Sequence, residues 1–232
     1  MKILVGNWKS NGNITEKDSM LKALNHLKTN VKIILCLPFT LLYGKKSKIS
    51  IGAQDISLYP NGAYTGDISG QMIADTGAKY VLVGHSERRT YHNETNEIVK
   101  TKATLAIKNR LTPIICIGET LEQHQSHKTK SVIKRMLLKS IPDSGNFIIA
   151  YEPCWAIGTG ITPTETEIAS IHQLIFETLK KINKEKTPIL FGGSINAKNA
   201  KCFTNIPHLD GFLIGHASLK PQTFLPIIKD MN

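Results

Sequence analysis

Glu152 follows the apolar run Phe147-Ile148-Ile149-Ala150-Tyr151 and directly precedes Pro153. A carboxylate delivered by a buried strand, at a point where proline halts the ladder, is held in one place and suits proton transfer. The residues after it, Cys154-Trp155-Ala156-Ile157-Gly158-Thr159-Gly160, run from a proline end to a glycine end. Hinges of that kind belong to lids that close over substrate, although an ordinary strand-to-helix connection with a buried indole would read the same way. His85, in Val83-Gly84-His85-Ser86-Glu87-Arg88-Arg89, opens a helical turn. The positive end of a helix favours neutral imidazole, which still donates one hydrogen bond. A purely structural histidine is the other reading. Lys9, in Gly6-Asn7-Trp8-Lys9, is either a surface lysine or a fixed charge for an anionic substrate or a developing oxyanion. Glu87 is either part of a solvated charge run or a partner for Lys9. Gly192-Gly193-Ser194 and Gly215-His216 end the last two apolar runs. Backbone N–H groups at such positions approach an anion closely.

These residues need elements to position them. Short apolar runs at 2–5, 31–37, 49–54, 80–83, 113–117, 147–151, 188–191 and 211–214 predict eight strands, apolar enough to be buried on both faces. Helical spacing predicts helices over 15–28, 95–109, 121–138 and 163–182, with shorter ones at 69–76 and 197–203. Thr162, Pro163 and Glu165 predict the start of the 163–182 helix as a capping box, and Thr120 with Gln123 predicts another. Eight β-then-α units predict an α/β fold, a closed (β/α)8 TIM barrel forming one domain over residues 1–232. An open doubly wound sheet often carries a G-x-G-x-x-G after its first strand, whereas this first strand runs into Asn7-Trp8-Lys9. The one long connection expected, 55–69, is rich in Gly, Asn and Asp. In a parallel barrel chemistry gathers at the C-terminal strand ends, here Asn7, Lys9, Gln54, His85, Glu119, Glu152, Gly192 to Ser194, Gly215 and His216.

Composition narrows the function. A chain of 232 residues that is 41% hydrophobic can bury one substantial core. Cys36, Cys116, Cys154 and Cys202 form no C-x-x-C pair, which argues against a metal cluster or disulfide framework and fits a reducing, cytoplasmic setting. No apolar stretch is long enough for a spanning helix, so no membrane partner is expected. The formal charge of +11 admits a nucleic-acid partner, but 6% aromatic content offers few stacking platforms, and none is expected. A Schiff-base aldolase would need a lysine at a mid-chain strand end, where Glu119 and Glu152 stand instead. The remaining histidines, His26, His92, His124, His127, His172 and His208, read as surface residues apart from His216.

Over essentially its whole length the chain resembles the triosephosphate isomerase family. The segments that carry the resemblance are Gly6-Asn7-Trp8-Lys9 with Asn11-Gly12, Gly62-Ala63-Tyr64-Thr65-Gly66, Val83 to Arg89, Cys116-Ile117-Gly118-Glu119, Tyr151 to Gly160, Gly192-Gly193-Ser194 and Asp210 to Gly215. The resemblance implies interconversion of D-glyceraldehyde 3-phosphate and dihydroxyacetone phosphate through an enediolate, in glycolysis and gluconeogenesis, with no cofactor and no metal. It implies Glu152 as base, His85 as neutral electrophile, Lys9 and Asn7 at the oxyanion, and Glu87 beside the lysine. It also implies Gly158, Ser194, Gly215 and His216 at the phosphate, and Thr65 reaching into the partner subunit of a homodimer. The chain departs from the family at Phe191, where a lid-latching Tyr is common, and at His216, where a second Gly is usual. Cys154, Ser10 and Asp55 replace a common Val, Met and Asn.

Overall fold

The computed structural model describes residues 1–44, 47–157 and 161–231. Its eight strands are β1 Ile3–Asn7, β2 Lys32–Cys36, β3 Ser50–Ala53, β4 Tyr80–Val83, β5 Thr112–Ile117, β6 Ile148–Tyr151, β7 Ile189–Gly192 and β8 Gly211–Ile214. Each pairs in parallel with the next, and β8 returns to β1 through Ile3↔Gly211 to Gly6↔Ile214, closing the barrel. The helices are α1 Ile14–Asn25, α2 Phe39–Leu42, α3 Gly70–Asp75, α4 Ser86–Tyr91, α5 Asn96–Lys108, α6 Leu121–Gln125, α7 Thr129–Ser140, α8 Glu165–Lys180, α9 Ala200–Phe203 and α10 Pro221–Asp230. Two short 3₁₀ turns, Cys154–Ala156 and His216–Ser218, follow β6 and β8. Among the described residues no helix is long and apolar enough to cross a membrane.

The period of two along each strand divides the core into two layers. Ile3, Val5, Ile34, Cys36, Leu82, Ile114, Cys116, Ile148, Ala150, Leu190 and Leu213 fill the barrel interior. Leu4, Leu35, Val81, Val83, Ile115, Ile149, Phe191 and Phe212 face the helices. Each fully buried Leu, Ile or Phe contributes roughly 1.5–3 kcal/mol of transfer free energy, so this patterning specifies the register strongly. The same alternation fixes the site. Continuing Ile3, Val5 by two reaches Asn7, and continuing Ile148, Ala150 by two reaches Glu152.

The structure corrects several local expectations. The predicted 121–138 helix is two helices, parted where His127 takes a left-handed backbone, φ 54°. Histidine tolerates that region better than most side chains. The cap of α8 is Thr164 with Glu167, not Thr162 with Glu165. Both pairs satisfy the same spacing. The later one puts Pro163 before the cap and Ile168 in the first turn, and both are buried, as in a hydrophobic staple. The Thr120–Gln123 box forms as expected. His172 is fully buried rather than at the surface, because it lies on the inner face of α8 with Ile168, Ile171, Ile175 and Leu179. Its Nδ1 lies 3.1 Å from the His208 carbonyl, and burial pushes its pKa down to about 4.

Candidate active site

Lys9 occupies a strained backbone position just beyond β1, with φ 52°. Non-glycine residues pay for that conformation and keep it only where neighbours over-determine it. Here the Lys9 N–H donates to Asn7 Oδ1 at 3.0 Å, and the Lys9 carbonyl accepts Gln54 Nε2 at 2.9 Å. Asn11 Nδ2 donates to the Trp8 carbonyl at 2.9 Å, and Trp8 Nε1 donates to the Ser218 carbonyl at 3.0 Å. So held, the lysine runs along the cavity wall and sets Nζ 2.5 Å from Glu87 Oε1.

His85 is the N-cap of α4, and its Nδ1 accepts the Glu87 backbone N–H at 3.2 Å. Its Nε2 lies 3.5 Å from Glu152 Oε1, and both side chains are buried. Burial opposes charge on the ring and Lys9 adds to that, while the Glu152 and Glu87 carboxylates favour it and together raise its proton affinity. The cap hydrogen bond decides the matter the other way. A protonated ring has no lone pair at Nδ1, so protonation would set N–H against N–H at the positive end of α4. The cap hydrogen bond as it stands belongs to the neutral ring, with its proton on Nε2, directed at Glu152. Burial raises the proton affinity of Glu152; a charge on His85, the hydrogen bonds from His85 and the Cys116 thiol, and Lys9 lower it, and the lowering prevails. Its second oxygen, Oε2, is buried with no hydrogen-bond partner. An ionised carboxylate with one unpartnered oxygen has an open lone pair with which to take a proton.

Gly192 makes room for this carboxylate. A Cβ there would lie 2.5 Å from Glu152 Cγ and 3.0 Å from Oε1. Beyond Glu152, Glu119 controls the chain's exit. Its carbonyl accepts the Cys154 N–H at 3.0 Å, and its Oε1 accepts the Trp155 indole at 2.9 Å and the Tyr151 hydroxyl at 3.2 Å. Ser194 Oγ donates to the Ala156 carbonyl at 2.9 Å, joining the loop after β7 to the same turn.

A buried charge network braces the α4 side. Lys102 Nζ donates to Asp55 Oδ1 and Glu94 Oε1, each at 2.6 Å. Arg88 reaches Glu94 at 2.6 Å and Asp55 at 2.9 Å. Two cations against two carboxylates leave no net buried charge, the condition under which such a cluster is tolerable. Arg89 donates to the carbonyls of Gly84 at 2.8 Å and Cys116 at 3.1 Å, and to Asn96 Oδ1 at 2.9 Å. The strand ends that carry His85 and flank Glu152 are thus tied by one guanidinium.

Asn7, Lys9, His85, Glu152, Ser194, Gly215 and His216 line one cavity of about 400 Å³ at the C-terminal ends of the strands. Glu87 joins them through Lys9. Gly158 lies outside the described residues. Thr65 is exposed in the long connection 54–69 and does not line this cavity. Sequence reading found Gln54 as a strand-end residue but missed its hold on Lys9. It also missed the buried lysine Lys102, because nothing in the local pattern of α5 reveals partners contributed by distant loops. Among the described residues no group of three or more His, Cys, Asp or Glu could hold a metal ion.

A closed parallel barrel with a small polar cavity across its C-terminal mouth defines an enzyme of the (β/α)8-barrel class. Residues 2–231 match the family model described as triosephosphate isomerase. Triosephosphate isomerases of Rhizobium etli and Zygosaccharomyces bailii are 44% and 43% identical to it, each over 98% of this chain and over 94% and 97% of the relative. The crystal structure of triosephosphate isomerase from Bartonella henselae superposes with a TM-score of 0.90 at 35% identity, covering 99% of this chain and 98% of that one. The chain belongs to the triosephosphate isomerase family, and it is an isomerase.

Proposed function

We propose that this cavity interconverts D-glyceraldehyde 3-phosphate and dihydroxyacetone phosphate, a step of glycolysis and gluconeogenesis, with Glu152 as the base. The observation that carries the reading is the buried, unpartnered Oε2 of an ionised Glu152, beside the neutral Nε2–H of His85 and on the same cavity wall as Lys9. Glu152 takes a proton from the carbon next to the carbonyl, leaving an enediolate. His85 Nε2–H donates to the oxygen that gains charge and passes a proton between the two oxygens. Lys9 supplies a fixed positive charge whose effect is enlarged where water is excluded, and Asn7 holds the Lys9 backbone in place. Glu152 then returns the proton to the neighbouring carbon. Ser194, Gly215 and His216 form the phosphate end. Glu87 keeps Lys9 extended along the wall.

We further propose that the enzyme works in the cytoplasm as a homodimer, with the connection 54–69 at the subunit interface. There Tyr59 and Tyr64 stack 4.1 Å apart while remaining about half exposed, beside Thr65. Light scattering of the purified protein at the mass of one chain would refute the dimer.

A coupled assay in both directions tests the reaction. Glu152→Gln keeps size and removes basicity, so kcat should fall by at least the ~10²–10⁴-fold of general-base catalysis. Wild-type protein without activity on either triose phosphate, or Glu152→Gln with full activity, would overturn the assignment.

A further inference from the structure

His124 lies on α6 outside the cavity, and no step above uses it. Its ring nevertheless stacks on Trp155, with centroids 4.3 Å apart and 28° between planes. Its Nδ1 is 3.8 Å from Glu119 Oε1, the oxygen that accepts both the Trp155 indole and the Tyr151 hydroxyl. The other oxygen of Glu119 is buried without a partner, so this carboxylate has unused capacity for positive charge. Trp155 belongs to the 3₁₀ turn that directly follows Glu152 and Pro153. One imidazole therefore touches both the indole of that turn and the carboxylate that anchors it.

We propose that His124 is a positioning residue for the turn after Glu152, and that protonation of its ring clamps Trp155 against Glu119, so that motion of the turn depends on pH. Imidazole is the side chain whose charge ordinarily changes between pH 5 and 8. A cation over an indole face is attracted by the ring, and the same cation gains from the nearby Glu119 carboxylate. The groups facing His124 agree in sign. Glu119 follows β5 and is the carboxylate nearest the ring, and Glu167, on α8, is a further carboxylate. Tyr151 and Cys154, from β6 and the turn, stay neutral in this range, since burial first and Glu119 among their neighbours raise both; Cys154 is pushed up to about 12. The clamp belongs to the protonated ring, so it weakens as pH rises.

The inference rests on reading this turn as the moving hinge of the catalytic base. Its test does not depend on activity. The chain has two tryptophans, Trp8 and Trp155, so 5-fluorotryptophan labelling gives two ¹⁹F signals, assigned with Trp155→Phe. Exchange at Trp155 is measured by relaxation dispersion at pH 6 and pH 8. In wild type it should slow about two- to tenfold at pH 6, the effect of one cation–π interaction on the closed turn. His124→Gln should remove the pH dependence, and His124→Arg should give the slow value at both pH values. The same pH dependence in His124→Gln, no pH dependence in wild type, or a Trp155 signal without exchange would each overturn the proposal. Failure of the Glu152→Gln assay would instead sink the catalytic reading and leave the clamp measurement standing.

Discussion

Gly192→Ala probes the placement of Glu152 with one added methyl group. The new Cβ would sit 2.5 Å from Glu152 Cγ, against a comfortable carbon–carbon separation of about 3.5–4.0 Å. One of the two must retreat by roughly 1 Å. Gly192 is paired in β7 with β8, through Leu213, so its backbone is the stiffer partner, and the carboxylate moves. A base displaced by about 1 Å loses on the order of 10² in rate, while the phosphate end of the cavity is untouched. Steady-state kinetics should therefore show kcat down about a hundredfold, with KM changed much less. Overpacking costs about 1–3 kcal/mol, and each kcal/mol lowers Tm by roughly 2–4 °C in a chain of this size. Circular dichroism at the assay temperature confirms that the variant is folded. A folded Gly192→Ala protein within about threefold of wild-type kcat would refute the claim that the reaction depends on where Gly192 lets Glu152 lie.

Two further predictions follow from buried rings. Phe191 is enclosed by Tyr151, His172 and Phe203, but its Cζ comes within 3.1 Å of a Cβ built on Gly193, so Phe191→Tyr directs its hydroxyl toward the loop that Ser194 joins to Ala156. One added hydrogen bond of about 0.5–1.5 kcal/mol should tighten a competitive phosphate-bearing inhibitor about two- to tenfold, and unchanged affinity would count against a latch. His172 is buried neutral, with its pKa pushed down to about 4, so the unfolded chain binds the extra proton between pH 6.5 and 4. Its contribution is complete above pH 6.5 and is lost as pH falls toward 4, at about 1.4 kcal/mol per pH unit, or about 3 kcal/mol in all. Urea titrations across that window should show a shallower decline in His172→Gln; identical slopes would refute the assignment.

The sequence was most legible where one physical rule acts alone. Strands buried on both faces must be apolar, and residues two places beyond them must point inward, so the barrel and the inward place of Glu152 could be read directly. Reading failed where two local solutions tie or where the partner is distant. Thr162 and Thr164 offer the same cap, and the later one is used, with Pro163 and Ile168 buried on either side of it. His127 breaks a helix although its neighbours continue the spacing. His172 passes for a surface residue unless its position is counted along the inner face of α8. Lys102 looks solvent-facing because Asp55 and Glu94, which neutralise it, come from separate loops. The environment of His85 was half legible: the helix start was visible, but the opposing pull of Glu152 depends on the barrel bringing β4 and β6 around one mouth.

The barrel closes between its first strand and its last, and the cavity straddles that seam. Lys9 and Asn7 stand on one side, Gly215 and His216 on the other, and Trp8 reaches across to the Ser218 carbonyl. A chain emerging from the ribosome can bring His85 and Glu152 together once β4 to β6 are out, yet it cannot complete the cavity until β8 and Ser218 are made. Loop closure over such a separation is slow compared with local pairing. Recovery of activity on refolding should therefore lag recovery of secondary structure, and enzymatic turnover becomes a clock for the closing of the seam.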